Sequence, residues 1–366
     1  MSINEIIIYI MVIFMTLGAI DKCLDNKLNL GDKFEEGIMA MGSLTLAMVG
    51  VISLAPVLAT LLKPIVVPLY TALGADPAMF ATTLLANDMG GYPLAMQMAS
   101  NLEAGRFAGI ILGSMLGPTI VFTIPVALGI IKKEDRKFLA TGVLAGIMTI
   151  PIGCLVGGLV AGYDLGMILR NLVPIILVAL IIGVGLWLAP NGMIKGFSVF
   201  GKGVVIVITL ALAAIIIETL TGVVIIPGMT PIWDGIEIVG SIAIVLAGAF
   251  PMVYVITKFF QKPLLKLGSL LGMNDKAAAG LVASLANNIP MFGMLKEMDT
   301  RGKIINIAFA VSASFTFGDH LGFTAGVEKD LIFPMIVGKL AGGVTAVLVA
   351  ILIASKSKLA AESEEK

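Results

Sequence analysis

The chain has 366 residues, 58% of them hydrophobic and only 13% charged, with a mean hydropathy of +1.04. That composition excludes an ordinary soluble domain and places the chain in a lipid bilayer. Its 24 basic and 24 acidic residues cancel, so no polyanionic partner is indicated and nucleic acid is set aside.

From the N-terminus, Met1 to Glu5 run straight into Ile6-Ile7-Ile8 without a basic leader or a small-residue cleavage site, which reads as a retained first helix. Apolar runs long enough to cross a bilayer lie at 4–20, 37–62, 107–131, 138–162, 171–189, 203–226, 236–257, 304–326 and 331–354. Two further runs, 77–100 and 277–295, carry polar breaks. In the first, Leu85-Ala86-Asn87-Asp88 is followed by Gly90, Gly91 and Pro93; in the second, Leu285-Ala286-Asn287-Asn288 is followed by Pro290 and Gly293. Arms of about ten residues reach roughly 15 Å, about half the hydrocarbon thickness. Each run is therefore expected to be a re-entrant helical hairpin, and paired breaks of this kind point to a transport site.

Charge patterning supports the same reading. If each hairpin enters and leaves on one side, most lysines and arginines gather on one side, in loops 22–33, 132–137, 195–202, 258–276 and 296–303 and in the tail. If both hairpins crossed, the two sides would balance. The positive side is cytoplasmic, which places the N-terminus outside and the C-terminus inside. Residues 258–276 are expected to lie as an amphipathic helix on the cytoplasmic surface, and residues 356–366 to form a disordered cytoplasmic tail.

An internal repeat is visible at an offset of 198 to 200, with Glu36-Gly37-Ile38 against Asp234-Gly235-Ile236 and Lys63-Pro64 against Lys262-Pro263. Five crossings separate the two starts, so the second unit would be inverted. The expected fold is an all-α integral membrane protein, an inverted-repeat transporter with about nine transmembrane helices and two re-entrant hairpins. Its parts are a first repeat over 1–166, a connecting helix over 167–200, a second repeat over 201–355 and the tail.

Irregular backbone at membrane depth needs protein or a wet cavity to satisfy it. Asn87, Asp88, Asn287 and Asn288 therefore attract a substrate-binding reading, against the alternative that they cap the short hairpin helices. Intramembrane Glu218 and Asp319 could converge with Asp88 on a cation, since a buried charge is expensive unless it has a role. Glu218 could equally face headgroups, and Lys339 could neutralise one of the acids. Phe317, Phe292 and Tyr92 could place aromatic faces near an organic ammonium, although packing is the commoner use of such residues. His320, the only histidine, is either a pH-sensitive group or a structural hydrogen-bonding residue. Runs Gly109, Gly113, Gly117 and Gly338, Gly342 permit close helix approach, within one chain or in a homo-oligomer. Cys23 and Cys154 form no disulfide framework or metal spacing. Neither a metal nor a cofactor is expected, and no catalytic signature argues for an enzyme.

The stretches LANDMGGYPLAMQMA, LANNIPMFGMLKEM and SFTFGDHLGFTAG, at 85–99, 285–298 and 314–326, resemble the ethanolamine-utilisation permease family, EutH, over essentially the whole chain. The resemblance implies a bacterial cytoplasmic-membrane protein that moves ethanolamine inward. More loosely, the paired hairpins are similar to those of concentrative nucleoside transporters. The expected activity is ethanolamine uptake by facilitated diffusion and alternating access. The competing readings are an ion-coupled carrier of another small polar solute, such as a nucleoside, and a membrane sensor or scaffold that moves nothing.

Overall fold

The computed structural model describes residues 2–356, so the expected disordered tail lies outside the described residues from 357 onward. Among the described residues all regular structure is helical. The first half runs α1 (Ile3–Cys23), α2 (Leu30–Ala72), α3 (Ala78–Leu84), α4 (Gly91–Met98), α5 (Leu102–Arg106), α6 (Leu116–Pro118), α7 (Ile124–Ile130), α8 (Arg136–Ile147) and α9 (Ile150–Val160). After α10 (Leu165–Leu188) come α11 (Pro190–Thr221), α12 (Ile232–Leu270), α13 (Asp275–Ala286), α14 (Asn288–Met294), α15 (Thr300–Ala313), α16 (Asp319–Val327) and α17 (Ile332–Lys356).

Among the described residues, eight helical segments are long and apolar enough to cross a membrane, and they match the expected crossings except for 304–326. That run is divided, because residues 314–318 leave the helix between α15 and α16. Phe315 there takes a left-handed φ of 61°, and the freed backbone bonds elsewhere: Phe315 N–H donates to the Ser284 carbonyl at 3.0 Å and Phe317 N–H to the Leu285 carbonyl at 2.9 Å. Residues 107–123 are irregular too, with two π-helical stretches, Phe107–Leu112 and Thr119–Thr123, on either side of a turn at 113–115. Widened helical turns of this kind are frequent at functional sites.

The surface helix expected at 258–276 is not a separate element. Residues up to Leu270 continue α12, a 39-residue helix with Pro251 and Pro263 inside it. α2 runs 43 residues through Pro56, Pro64 and Pro68. At 1.5 Å per residue both exceed the hydrocarbon core, so each continues beyond the bilayer. Each internal proline lacks the N–H for one helical hydrogen bond, yet both helices continue past it.

α2 and α12 pack together at the centre, with Gly37 against the backbone of Leu246 and Ala247. α1 packs on both α2 and α12, and α11 packs on α2. Glycines admit the close contacts, Gly50 meeting Ile208 and Leu212 of α11, and Gly248 meeting Met11 of α1. A second seam joins Gly338 and Gly342 of α17 to Gly153 and Gly157 of α9. Gly109, Gly113 and Gly117 instead face the α3–α4 segment, through Tyr92, Asn87 and Leu85.

Candidate functional site

Each broken segment folds back to where it began. For α3–α4, the Ser100 N–H donates to the Asp76 carboxylate at 3.0 Å. For α13–α14, the Asn274 side chain donates to the Glu297 carbonyl at 2.9 Å, and Lys276 pairs with Glu297 at 3.2 Å. The turn of each segment then docks on the irregular stretch that follows it in the same half. Asn87 N–H donates to the Gly113 carbonyl at 2.9 Å, as Phe315 and Phe317 donate into residues 284 and 285. Gly117 and Gly318 make the closest approaches: a Cβ on Gly117 would collide with the Leu85 carbonyl, and one on Gly318 with the Ala286 carbonyl.

At these junctions the three asparagines differ. Asn287 is extended and its side-chain oxygen accepts from Ile289 N–H at 2.8 Å, capping α14. Asn288 is buried; its amide donates to Thr123 Oγ1 at 2.9 Å while its carbonyl oxygen has no protein partner. Asn87 is buried as well, and neither its amide nitrogen nor its oxygen finds a partner. A buried amide left unpaired costs about 1–3 kcal/mol, so native proteins keep such groups where water or a ligand completes them.

The turn carrying Asp88 packs on α16, which begins with Asp319 and His320. Lys339 of α17 is 1% exposed. Its ammonium donates to the Ser114 carbonyl and lies 3.0 Å from His320 Nδ1. Among the described residues no carboxylate forms an ion pair with Lys339, yet it lies within electrostatic reach of Asp88, and Asp88 within reach of Asp319. The Phe315 ring packs at a tilt against His320 at 5.2 Å and edge-on against Phe122 at 5.6 Å.

A cavity of about 480 Å³ reaches this region, lined by Asn287 and Asp319 together with Phe250, Tyr254, Lys33, Glu36 and Lys258. A separate cluster ties α4 to the end of α16. Tyr92 of α4 donates to Glu328 at 2.8 Å, Arg106 pairs with the other oxygen of Glu328 at 3.0 Å, and the Tyr92 ring packs edge-on against Phe323 at 5.6 Å.

The residues singled out in the sequence thus separate. Asn87, Asp88, Asn288, Asp319 and His320 lie around the two turns, and Asn287 lines the cavity. Tyr92 belongs to the cluster with Arg106 and Glu328, and Phe317 is half-buried with its backbone tied to α13. Phe292 is buried in the core. Glu218 sits three residues from the end of α11 and makes no side-chain contact with Asp88 or Asp319. Asp319 lines the cavity that Lys33 and Lys258 also line. Ser114, Thr123 and Glu328 were not selected from the sequence. A lone serine, threonine or terminal glutamate carries no periodic signal that would single it out.

A family model described as "Ethanolamine utilisation protein, EutH" matches residues 3–353. The chain belongs to the EutH family. It is 74% identical to a probable ethanolamine permease EutH of Listeria monocytogenes, over 97% of this chain and 95% of that protein. A probable ethanolamine permease EutH of Escherichia coli is 52% identical, covering 100% and 99% of the two chains. The YxeR protein of Bacillus subtilis is 55% identical over 94% of each. No solved structure matches the chain. With this membership and its apolar helices, the chain is a multi-pass protein of the bacterial membrane.

Proposed function

We propose that this EutH-family chain is a permease that takes up ethanolamine by alternating access, with α3–α4 and α13–α14 as re-entrant gates of an inverted repeat spanning 1–166 and 201–355 around a 167–200 connector. The relatives' names supply the substrate. The observation that carries the site is the pair of buried amides, Asn87 and Asn288, left short of partners where the two folded-back segments turn. The ends of each segment meet, which supports the half-crossing geometry.

Ethanolamine is largely an ammonium at neutral pH. Asp88 and Asp319 bring two carboxylates against the single ammonium of Lys339, so the pocket is one positive charge short and a monovalent cation completes it. Without that pairing, desolvating the substrate would be prohibitive. Asn87 and Asn288 supply the donors and acceptors a hydroxyl needs, Asn287 lies on the approach, and His320 fixes the direction of Lys339. In this reading the lysine-rich end is cytoplasmic, the N-terminus lies outside and the C-terminus inside. The cavity then opens to the cytoplasm while Tyr92, Arg106 and Glu328 shut the outside. No second cation is required, because the membrane potential favours inward movement of the protonated amine.

Uptake of radiolabelled ethanolamine into proteoliposomes tests this. Accumulation driven by an inside-negative potential, independent of sodium and pH gradients, and lost in Asp88→Asn with expression unchanged, is the expected result. Dependence on sodium would replace facilitated diffusion by coupling, binding without accumulation would favour a sensor, and full uptake by Asp88→Asn would remove the site assignment.

A further inference from the structure

A cavity of about 960 Å³, separate from the substrate region, lies where the α7–α8 connection meets the α10–α11 turn. Lys133, Arg136, Lys137 and Lys195 line it against one carboxylate, Glu134, which pairs with Lys132 at 3.4 Å. Among the described residues no carboxylate forms an ion pair with Lys133, Arg136 or Lys195, and Arg136 Nε is buried without an acceptor. Two helices begin at this cavity, α8 at Arg136 and α11 at Pro190, and neither N-terminus is capped by a side chain. Although Pro190 has no N–H and the Arg136 N–H bonds the Lys133 carbonyl, the helix dipoles add further positive potential. The lower walls are apolar, formed by Leu144 and Leu186, and Trp187 stands 77% exposed beside them. Tryptophan at such a position marks the headgroup level of a membrane.

We infer that this cavity binds an anionic phospholipid: the phosphate sits among Lys133, Arg136 and Lys195, and the acyl chains run down the apolar wall past Trp187. A soluble anion would use the cations but not the apolar wall, and a neutral lipid would leave the cations without a counter-charge. Basic pockets between membrane helices recognise acidic headgroups in this way. The site depends on the chain lying in a bilayer and not on what it transports.

Native mass spectrometry of the intact purified protein, titrated with phosphatidylglycerol or phosphatidylcholine, tests the inference. Each lysine near an acidic headgroup is worth roughly fivefold in affinity, so Lys133→Gln with Lys195→Gln should lose phosphatidylglycerol by about thirtyfold. Lys133→Arg with Lys195→Arg, and the charge-matched control Lys27→Gln with Lys296→Gln, should retain it. Equal loss in the control, equal retention in all variants, no preference over phosphatidylcholine, or displacement by millimolar inorganic phosphate would each overturn the inference. Since lipid retention is read without substrate, a failed uptake assay leaves this result unaffected.

Discussion

Asn287 and Asn288 are neighbours of one chemical type with different tasks. The Asn287 oxygen caps a helix, whereas the Asn288 oxygen is buried and open. Losing a cap costs about 1 kcal/mol, so Asn287→Ala should lower thermal stability slightly while uptake persists, and Asn287→Ser should restore the lost stability. Asn288→Leu should leave a folded, monodisperse protein with little or no uptake. Equal uptake by the two leucine or alanine variants would mean that both asparagines only cap. The polar breaks were legible because asparagine and aspartate stand out in apolar runs. Which amide turns inward was not, since that depends on Thr123, 165 residues away. Lys339 was visible as an intramembrane charge. Its partners, Ser114 and His320, come from two different breaks that only the folded chain brings together.

At the scale of elements, the folded-back segments need a following stretch whose backbone can receive them. Gly117 and Gly318 perform that role, each passing a carbonyl of the segment it supports. An alanine at either position has no room without moving main chain, so Gly117→Ala and Gly318→Ala should each sharply reduce the yield of monodisperse protein in fluorescence-detected size exclusion. Gly42→Ala, whose Cβ meets open space, should not. Normal yields at 117 and 318 would show that the turns are not docked there. The segments themselves were readable from polar and helix-breaking residues, as were most crossings from hydropathy. The division of 304–326 was only half readable, because Gly318 and Gly322 hint at it but the left-handed Phe315 does not.

Across the whole molecule, two partly buried ion pairs link the halves reciprocally. Arg106 at the end of α5 pairs with Glu328, just before the connection into α17; Lys303 in the first turn of α15 pairs with Asp135, at the start of α8, at 2.6 Å. Tyr92 breaks the symmetry, because it ties the α4 arm to the first pair while Phe292, 200 residues later, lacks a hydroxyl. A hydrogen bond to a charged group is worth about 1.5–3 kcal/mol. Tyr92→Phe should therefore free the outer gate and lower the half-saturating external ethanolamine concentration by roughly tenfold or more. An unchanged value would confine Tyr92 to packing. Such pairings were not legible in the sequence, where each charge simply ends an apolar run.

The account rests on both folded-back segments entering and leaving on one face each, and on opposite faces from one another. In a background of Cys23→Ser and Cys154→Ser, single cysteines at Thr71 and Ser100 flank α3–α4, and single cysteines at Leu270 and Lys296 flank α13–α14. Labelled in right-side-out and inverted vesicles with a membrane-impermeant maleimide, the first two should react only from outside and the last two only from inside. Reaction of either pair from opposite sides would contradict the account.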